Sequence, residues 1–439
     1  MKQNKICVIG LGYVGLTLSL TFTNKNTKII GIEKNINNLN LLKSGKPHFY
    51  EKDLEQSLFR AIKKKKLILS DKINDAKNCN VFIITVGTPL NTNNKPNFKI
   101  LKKCINEIIS LRPKKPLIIL RSTVAVGTAR DRVLQDFKKN NIKIDIAMCP
   151  ERTMEGVAMK EITRLPQIIG GDTIHSVNRA IEVFKLINKN LITVSSLETA
   201  ELIKLVDNSS RDLYFSTSNQ LALLCETLKL DVYEVITTAN NSYSRTNLAL
   251  PGLVGGPCLE KDPIILYESI KSKNYKPKLF YESRVVNKKI TNVVKEWLNS
   301  FEAKTKNKNV AILGLAFKGN PETSDVRGSL SIDILKILEK FKFNNIYLFD
   351  PLDKTYNSPE INQYFKKYKI IKNFNELIKK SNYAIITTNH KYFQNTKRMS
   401  NLWKHNSNLE VFDFWNNLKN IGIDAKKKYK AFGVNIIKT

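Results

Sequence analysis

Short apolar runs rich in Ile and Val alternate with longer mixed segments over the first two hundred residues. The runs Lys5–Gly10, Lys28–Glu33, Val81–Val86, Leu117–Arg121 and Lys143–Ala147 predict strands of a parallel sheet buried on both faces. Between them Asn35–Lys43, Phe98–Leu111 and Thr128–Lys139 have helical length. Such alternation predicts an α/β, doubly wound sheet with helices on both faces. Gln167–Ile169 and Leu191–Val194 read as its last strands. The pattern then changes. Leu197 to Leu230 contains neither Gly nor Pro and predicts one long helix. Helices over Lys261–Lys273 and Lys278–Phe301 follow, around a loop at Asn240–Cys258. Alternation returns with strands at Val310–Leu313, Ile346–Phe349, Tyr383–Thr387 and Glu410–Phe412 and a helix at Leu330–Lys340. The expected division is 1–196, 197–303 and 304–439: two doubly wound domains joined by the long helix and a helical middle domain. A long helix between two domains also suggests a dimer surface, so a homodimer or higher homo-oligomer is expected.

Composition narrows the classes. Lys+Arg 72 against Asp+Glu 39 gives a formal net charge of +33, yet 42% of the residues are hydrophobic. That share is ordinary for a globular chain and excludes a disordered polycation. The charge invites a nucleic-acid reading, but runs of three or more cations occur only at Lys63–Lys66 and Lys426–Lys428. A dispersed surplus reads as a solvated surface rather than a nucleic-acid footprint. No apolar run reaches the about 18 residues of a membrane span, and Met1–Lys5 leads directly into a strand rather than a signal peptide. Six scattered cysteines without a CxxC pair suit a reducing, cytoplasmic setting. The four histidines show no metal spacing, and no metal is expected.

Gly10-Leu11-Gly12-Tyr13-Val14-Gly15 follows the first strand and opens a helix. Gly10 suits the tight turn, Gly12 a close approach to a pyrophosphate, and Gly15 close helix–strand packing. The anion then rests on the helix N-terminus, where unpaired N–H groups and the helix dipole favour it. Glu33 ends the second strand, where an acid accepts ribose hydroxyls and repels a 2′-phosphate, so NAD is expected over NADP. Two further strand-end loops, Val86-Gly87-Thr88-Pro89 and Ser122–Thr128, offer hydroxyls to the cofactor or serve as ordinary turns.

The segment Leu250–Asp262 places Cys258 in a glycine-rich loop before a helix. A helix N-terminus and Lys261 there would favour the thiolate; the competing reading is a small cysteine beside a structural turn. Lys204 and Asn208 are four apart and share a face of the long helix, suited to an oxyanion or simply to solvent. Glu151 in Cys149–Gly156 lies at a strand end as a candidate acid/base, with Cys149 as a rival nucleophile.

Taken in order, GLGYVG, VGTP, STVAVGT, CPERTMEG, AELIKLVDN, GGPCLEKD and LGLAFK resemble the UDP-glucose/GDP-mannose dehydrogenase family from Lys5 to about Asp350. The resemblance implies an NAD-binding Rossmann domain, a helical middle and a Rossmann-like C-terminal domain that binds the nucleotide sugar. It implies NAD-dependent oxidation of C6 of a UDP-hexose from alcohol to acid, for polysaccharide biosynthesis. By that resemblance Cys258 is the catalytic thiol, Lys204 and Asn208 steady the C6 oxygen, Asp262 supports water and proton movement, and Glu151 is the base for thioester hydrolysis. Gly10, Gly12, Tyr13, Val14, Gly15, Glu33, Thr88, Thr123, Glu155, Lys261 and Arg327 fall at cofactor positions. Glu151, Arg152, Lys204, Asn208, Arg245, Gly255 and Lys318 fall at substrate positions, Arg245 serving a neighbouring subunit. Arg152 after Glu151, where UDP-glucose enzymes usually carry Phe-Leu, points to UDP-N-acetyl-D-mannosamine. UDP-glucose and UDP-N-acetylglucosamine are the alternatives. A simple dehydrogenase of a 3-hydroxy acid and a non-catalytic nucleic-acid-binding α/β protein are the readings of other kinds.

Overall fold

The computed structural model describes residues 5–270, 275–301, 305–357, 361, 365–420 and 428–435. The chain divides into two compact units, Met1–Asn208 with Lys261–Pro277, and Ser209–Glu260 with Lys278–Thr439.

The first unit is built on β1 (Ile6–Ile9), β2 (Ile29–Ile32), β3 (Leu67–Ser70), β4 (Val81–Ile84), β5 (Leu117–Leu120), β6 (Asp145–Met148), β7 (Gln167–Gly171) and β8 (Leu191–Val194). Their order is β3-β2-β1-β4-β5-β6-β7-β8. All neighbours are parallel except β6 and β7. Every residue of β1, β4, β5 and β6 is buried, which is why these strands read as continuous apolar runs. Ile6 and Val8 join one apolar cluster while Cys7 and Ile9 join the other, the period-two signature of a sheet covered on both faces. The strand β3 was not expected. It lies at the edge, its Ile68 is exposed, and Lys63–Lys66 precede it, so its apolar signal is weak. Thr128–Lys139 is helical in two parts, a wide π turn over Ala129–Leu134 and an α-helix over Gln135–Lys139.

The second unit carries β9 (Asn309–Leu313), β10 (Asn345–Phe349), β11 (Lys369–Ile370), β12 (Tyr383–Ile386), β13 (Glu410–Asp413) and β14 (Tyr429–Ala431), all parallel in the order β11-β10-β9-β12-β13-β14. This repeats the order of the first six strands of the other unit. The strand-end wiring repeats as well. Glu33 Oε2 accepts from the Leu11 N–H at 2.9 Å, and Asp350 Oδ2 accepts from the Leu315 N–H at 2.7 Å. Thr85 and Thr387 each donate to the carbonyl of the glycine that follows the first strand of its sheet, Gly10 and Gly314.

The long helix runs Leu197–Leu228. It stops two residues short of expectation because Lys229 takes a left-handed φ of 57°. The helix expected over Lys261–Lys273 is Asp262–Ser269, with Pro263 in its first turn; residues 271–273 lie outside the described ones. Among the described residues no helix is long and apolar enough to cross a membrane, and no group of His, Cys, Asp and Glu is arranged to hold a metal ion.

Candidate functional site

In a parallel sheet the carboxyl ends of the strands open on one side, and the loops there form the ligand crevice. In the first unit the turn after β1 has φ +91° at Gly10, a conformation that favours glycine. A Cβ on Gly15 would stand 1.8 Å from the Gly10 carbonyl oxygen, so helix and strand meet through a missing side chain. A Cβ on Gly12 would meet nothing within 4 Å. The helix beginning at Tyr13 therefore faces open space over Gly12, a cradle suited to a dinucleotide pyrophosphate. Val14 lies in its first turn, and the Tyr13 ring stacks on Phe49 at 3.9 Å. Glu33 holds the Leu11 N–H through one oxygen and the Asn35 N–H, at 2.8 Å, through the other, so the same carboxylate shapes the glycine turn.

The two hydroxyl loops are tied to each other. Thr88 donates to the Thr123 carbonyl and Ser122 donates to the Val86 carbonyl at 2.6 Å. These two hydroxyl protons thus hold the two loops together, the turn role that the sequence allowed beside a cofactor role. Glu201 of the long helix fixes the far end of the second loop, accepting from Gly127 N–H at 2.6 Å and Ala129 N–H at 2.7 Å. Burial outweighs those bonds and pushes its carboxyl up to about 7.

Glu151 follows β6 and is buried. Its Oε2 takes Arg121 Nε at 3.0 Å and Nη2 at 2.5 Å, and its Oε1 takes the N–H groups of Arg152 and Thr153 at 2.8 Å each. Burial pushes its carboxyl up, but the charge of Arg121, the bonds from Thr153 and Arg121 and the charge of Lys204 together hold it below the ordinary range. Lys204 and Asn208 are both buried on the long helix. Asn208 Nδ2 donates to Asp262 Oδ2 at 2.6 Å, and Lys261 Nζ meets Asp262 Oδ1 at 2.6 Å. The Lys261 ammonium is thus engaged by Asp262. Arg152 is half-buried and donates through Nε to Asp207 Oδ2 at 2.7 Å, while Glu155 and Thr123 lie half-buried on their loops. The first unit thus carries the glycine turn, Glu33, Thr88, Thr123, Glu151, Arg152, Glu155, Lys204, Asn208, Lys261 and Asp262.

The second unit holds the remainder. Cys258 is the one exposed cysteine of the six. Among the buried ones, the Cys149 thiol is pushed by burial up to about 12, which removes it as a nucleophile at neutral pH. Cys258 lies in a turn, four residues ahead of the helix that starts at Asp262, in keeping with a loop cysteine placed just before a helix. The loop before it lies against the strand-end loop after β9. A Cβ on Gly255 would stand 2.2 Å from the Gly328 oxygen, and one on Gly256 would stand 2.5 Å from the Phe317 ring. Lys318 is half-buried, 5.5 Å above the Phe317 ring. Arg327 is exposed and forks onto Asp325 at 2.6 to 3.0 Å. Arg245 is exposed, 4.9 Å above the Tyr243 ring.

Comparison with known proteins adds the decisive observation. The UDP-glucose/GDP-mannose dehydrogenase family matches in three consecutive parts: its NAD binding domain over residues 4–188, its central domain over 198–289 and its UDP binding domain over 311–420. The chain belongs to the UDP-glucose/GDP-mannose dehydrogenase family. It is an NAD-dependent nucleotide-sugar dehydrogenase. A UDP-N-acetyl-D-mannosamine dehydrogenase of Pyrococcus horikoshii is 30% identical over 356 residues, covering 79% of this chain and 83% of that one. A solved UDP-D-ManNAc dehydrogenase from Pyrococcus horikoshii has a TM-score of 0.85 at 26% identity, covering 99% of this chain and 100% of that one. A UDP-glucose dehydrogenase from Pyrobaculum islandicum has the same TM-score, 0.85, at 22% identity, covering 98% of both chains; that likeness speaks to the fold alone.

Three residues of this family member were not singled out from the sequence. Arg121 precedes the Ser122–Thr128 loop, Glu201 lies one turn ahead of Lys204, and Asp207 adjoins Asn208. Arg121 adjoins the STVAVGT motif, and Glu201 and Asp207 lie inside AELIKLVDN, which was the available signal.

Proposed function

We propose that the enzyme oxidises C6 of UDP-N-acetyl-D-mannosamine to the uronate in two NAD-dependent steps. The observation that carries the mechanism is Cys258, the one exposed thiol, on a glycine loop that lets substrate approach the backbone. NAD, which the Gly10–Gly15 turn and Glu33 would hold, would supply the hydride acceptor, once per step. In the first step C6 gives up its hydride and the C6 hydroxyl passes its proton to water beside Asp262, leaving an aldehyde. The Cys258 sulfur adds to that carbonyl, giving a thiohemiacetal whose oxygen Lys204 and Asn208 steady. Loss of a second hydride from C6, with the hydroxyl proton released to water, leaves a thioester. Glu151 takes a proton from water, which cleaves the thioester to acid and free thiol, with Asp262 supporting the proton's movement. Glu33, Thr88, Thr123, Glu155, Lys261 and Arg327 serve NAD; Arg152, Arg245, Gly255 and Lys318 serve the UDP-sugar. On this reading the functional division is 1–196, 197–303 and 304–439, and the enzyme works in the cytoplasm for polysaccharide biosynthesis.

The sugar rests on Arg152 and on the names of the relatives. A panel of UDP-N-acetylmannosamine, UDP-N-acetylglucosamine and UDP-glucose with NADH readout tests it. The expected result is the highest kcat/KM on the first and two NADH per sugar. One NADH per sugar with free aldehyde would reject the mechanism, and a preference for another sugar would reject the substrate.

The long helix supports a homodimer. Leu202, Val206, Tyr214, Leu224 and Leu228 are exposed and fall within roughly a third of its circumference at about 3.6 residues per turn. An exposed apolar stripe of this kind marks an interaction surface. Light scattering after size exclusion should give about twice the 50.2 kDa chain mass or a multiple of it; a monomer at micromolar concentration refutes the stripe as a dimer surface.

A further inference from the structure

Ser283, Arg284 and Asn287 of the helix Lys278–Lys289 converge on Asp212 of the long helix. Arg284 Nη1 donates to Asp212 Oδ1 at 2.9 Å, Ser283 Oγ to Oδ2 at 3.1 Å, and Asn287 Nδ2 to Oδ1 at 2.8 Å. All four side chains are buried. Burying an ion pair is costly unless the remaining donors and acceptors are satisfied. Here two further guanidinium bonds leave the cluster, the longer of them from Arg284 Nη1 to the Leu259 carbonyl at 3.5 Å. Arg284 Nη2 donates to the Val254 carbonyl at 2.7 Å. The other arm of the network runs through Asn219, which receives Asn287 into a chain of bonds: Asn219 Nδ2 donates to Asn287 Oδ1 at 2.8 Å, and Asn219 Oδ1 accepts from the Gly252 N–H at 2.9 Å. Four residues after Gly252, the Gly256 N–H donates to the Gly328 carbonyl at 2.8 Å.

The loop is therefore held at Gly252, Val254 and Gly256, every second residue, by three different elements. Cys258 is the next position in that alternation, and it is exposed. We infer that Arg284, together with Asn219, is a positioning residue for the Cys258 thiol: the Asp212-centred network fixes the backbone of Gly252–Gly256, and through it the placement of the sulfur. The inference rests on the proposed role of Cys258 as nucleophile. Its weight comes from the sensitivity of attack geometry, since misplacing a reacting group by about 1 Å costs about a hundredfold in rate.

Arg284→Lys keeps the positive charge for Asp212, but a single ammonium lacks the planar fork that serves both Asp212 and Val254. It should lower kcat roughly 10- to 100-fold, leave the KM for NAD within about twofold, and bring NADH per sugar below two as aldehyde escapes the misplaced thiol. Ser283→Ala touches the same cluster but not the loop, and should stay within about threefold of the unaltered enzyme in kcat. If Arg284→Lys does not fold, Asn219→Ala removes the Gly252 tie and the bond to Asn287 while leaving Arg284 on Asp212 and Val254, and should show the same split between kcat and KM. Normal kcat with two NADH per sugar in the folded Arg284→Lys variant, or in Asn219→Ala where the first does not fold, overturns the inference. So does an equal loss in Ser283→Ala, which would make the cluster merely structural. Cys258→Ser run beside them separates the two failures: an inactive Cys258→Ser with a normal Arg284→Lys sinks only the positioning role, and an active Cys258→Ser sinks the nucleophile.

Discussion

Cys258→Ser should lower turnover to the acid by about a thousandfold or more while leaving NAD binding and folding intact. The loss follows from the nucleophile: a serine hydroxyl adds to an aldehyde far less readily than a thiolate does, and no thioester can form in the second step. A mutant that loses kcat at unchanged cofactor affinity has lost an interaction made in the transition state. The folding expectation follows from exposure, because a surface substitution of this kind shifts stability by within about 0.5 kcal/mol. Alkylation gives an independent reading. Cys79 is pushed by burial up to about 11, Cys104 and Cys149 up to about 12, and Cys7 and Cys225 are also raised by burial. Iodoacetamide at neutral pH should therefore modify one cysteine in the folded enzyme and abolish activity in step with that one modification. Near-normal turnover in Cys258→Ser, or activity that survives complete alkylation of Cys258, would rule the thiol out of the chemistry.

Both sheets were legible in the chain because their central strands are buried on both faces and so read as unbroken apolar runs. The strands that escaped, β3, β11 and β14, lie toward the sheet edges, where burial is one-sided and the chain is short. The glycine turn was legible because each glycine has a separate steric duty, and Gly10, Gly12 and Gly15 show three different ones. The partners of the site residues were not. Nothing in the spacing of Glu151 announces Arg121, thirty positions earlier, since β5 and β6 become neighbours only in the folded sheet. Asp212, Asn219 and Arg284 escaped for the same reason: each is an ordinary polar residue on a helix until folding buries it. The parallel between Glu33 and Asp350 shows what sequence comparison of the two halves misses. The second half lacks the three-glycine fingerprint, yet an acid at the end of its second strand holds the turn after the first in the same way.

Arg121→Met should be the most destabilising single change at this site, and its cost should depend on pH. Removing one member of a buried ion pair leaves an uncompensated charge and costs about 3–5 kcal/mol; here Arg121 is buried against Glu151 at 2.5 Å and also holds the Cys149 carbonyl at 3.1 Å and Gln167 Oε1 at 2.7 Å. In the unaltered enzyme Glu151 sits below the ordinary carboxyl value, so its contribution to stability is present above that value and is lost as pH falls through the depressed one. Without Arg121 the burial that already pushes upward prevails and the carboxyl rises above the ordinary value. The variant then loses stability as pH rises from the ordinary carboxyl value to the raised one. The gap between variant and parent is therefore widest above neutrality and narrows in acid. Urea unfolding at pH 5 and pH 8 measures it, with the larger difference expected at pH 8. Adding Glu151→Gln to Arg121→Met should recover part of the loss and flatten its pH dependence, because the orphaned charge is gone. It should not recover activity, since Glu151 is the proposed base. A stability gap of equal size at both pH values would mean that the Arg121 bonds to Cys149 and Gln167, rather than the pairing with Glu151, carry the effect.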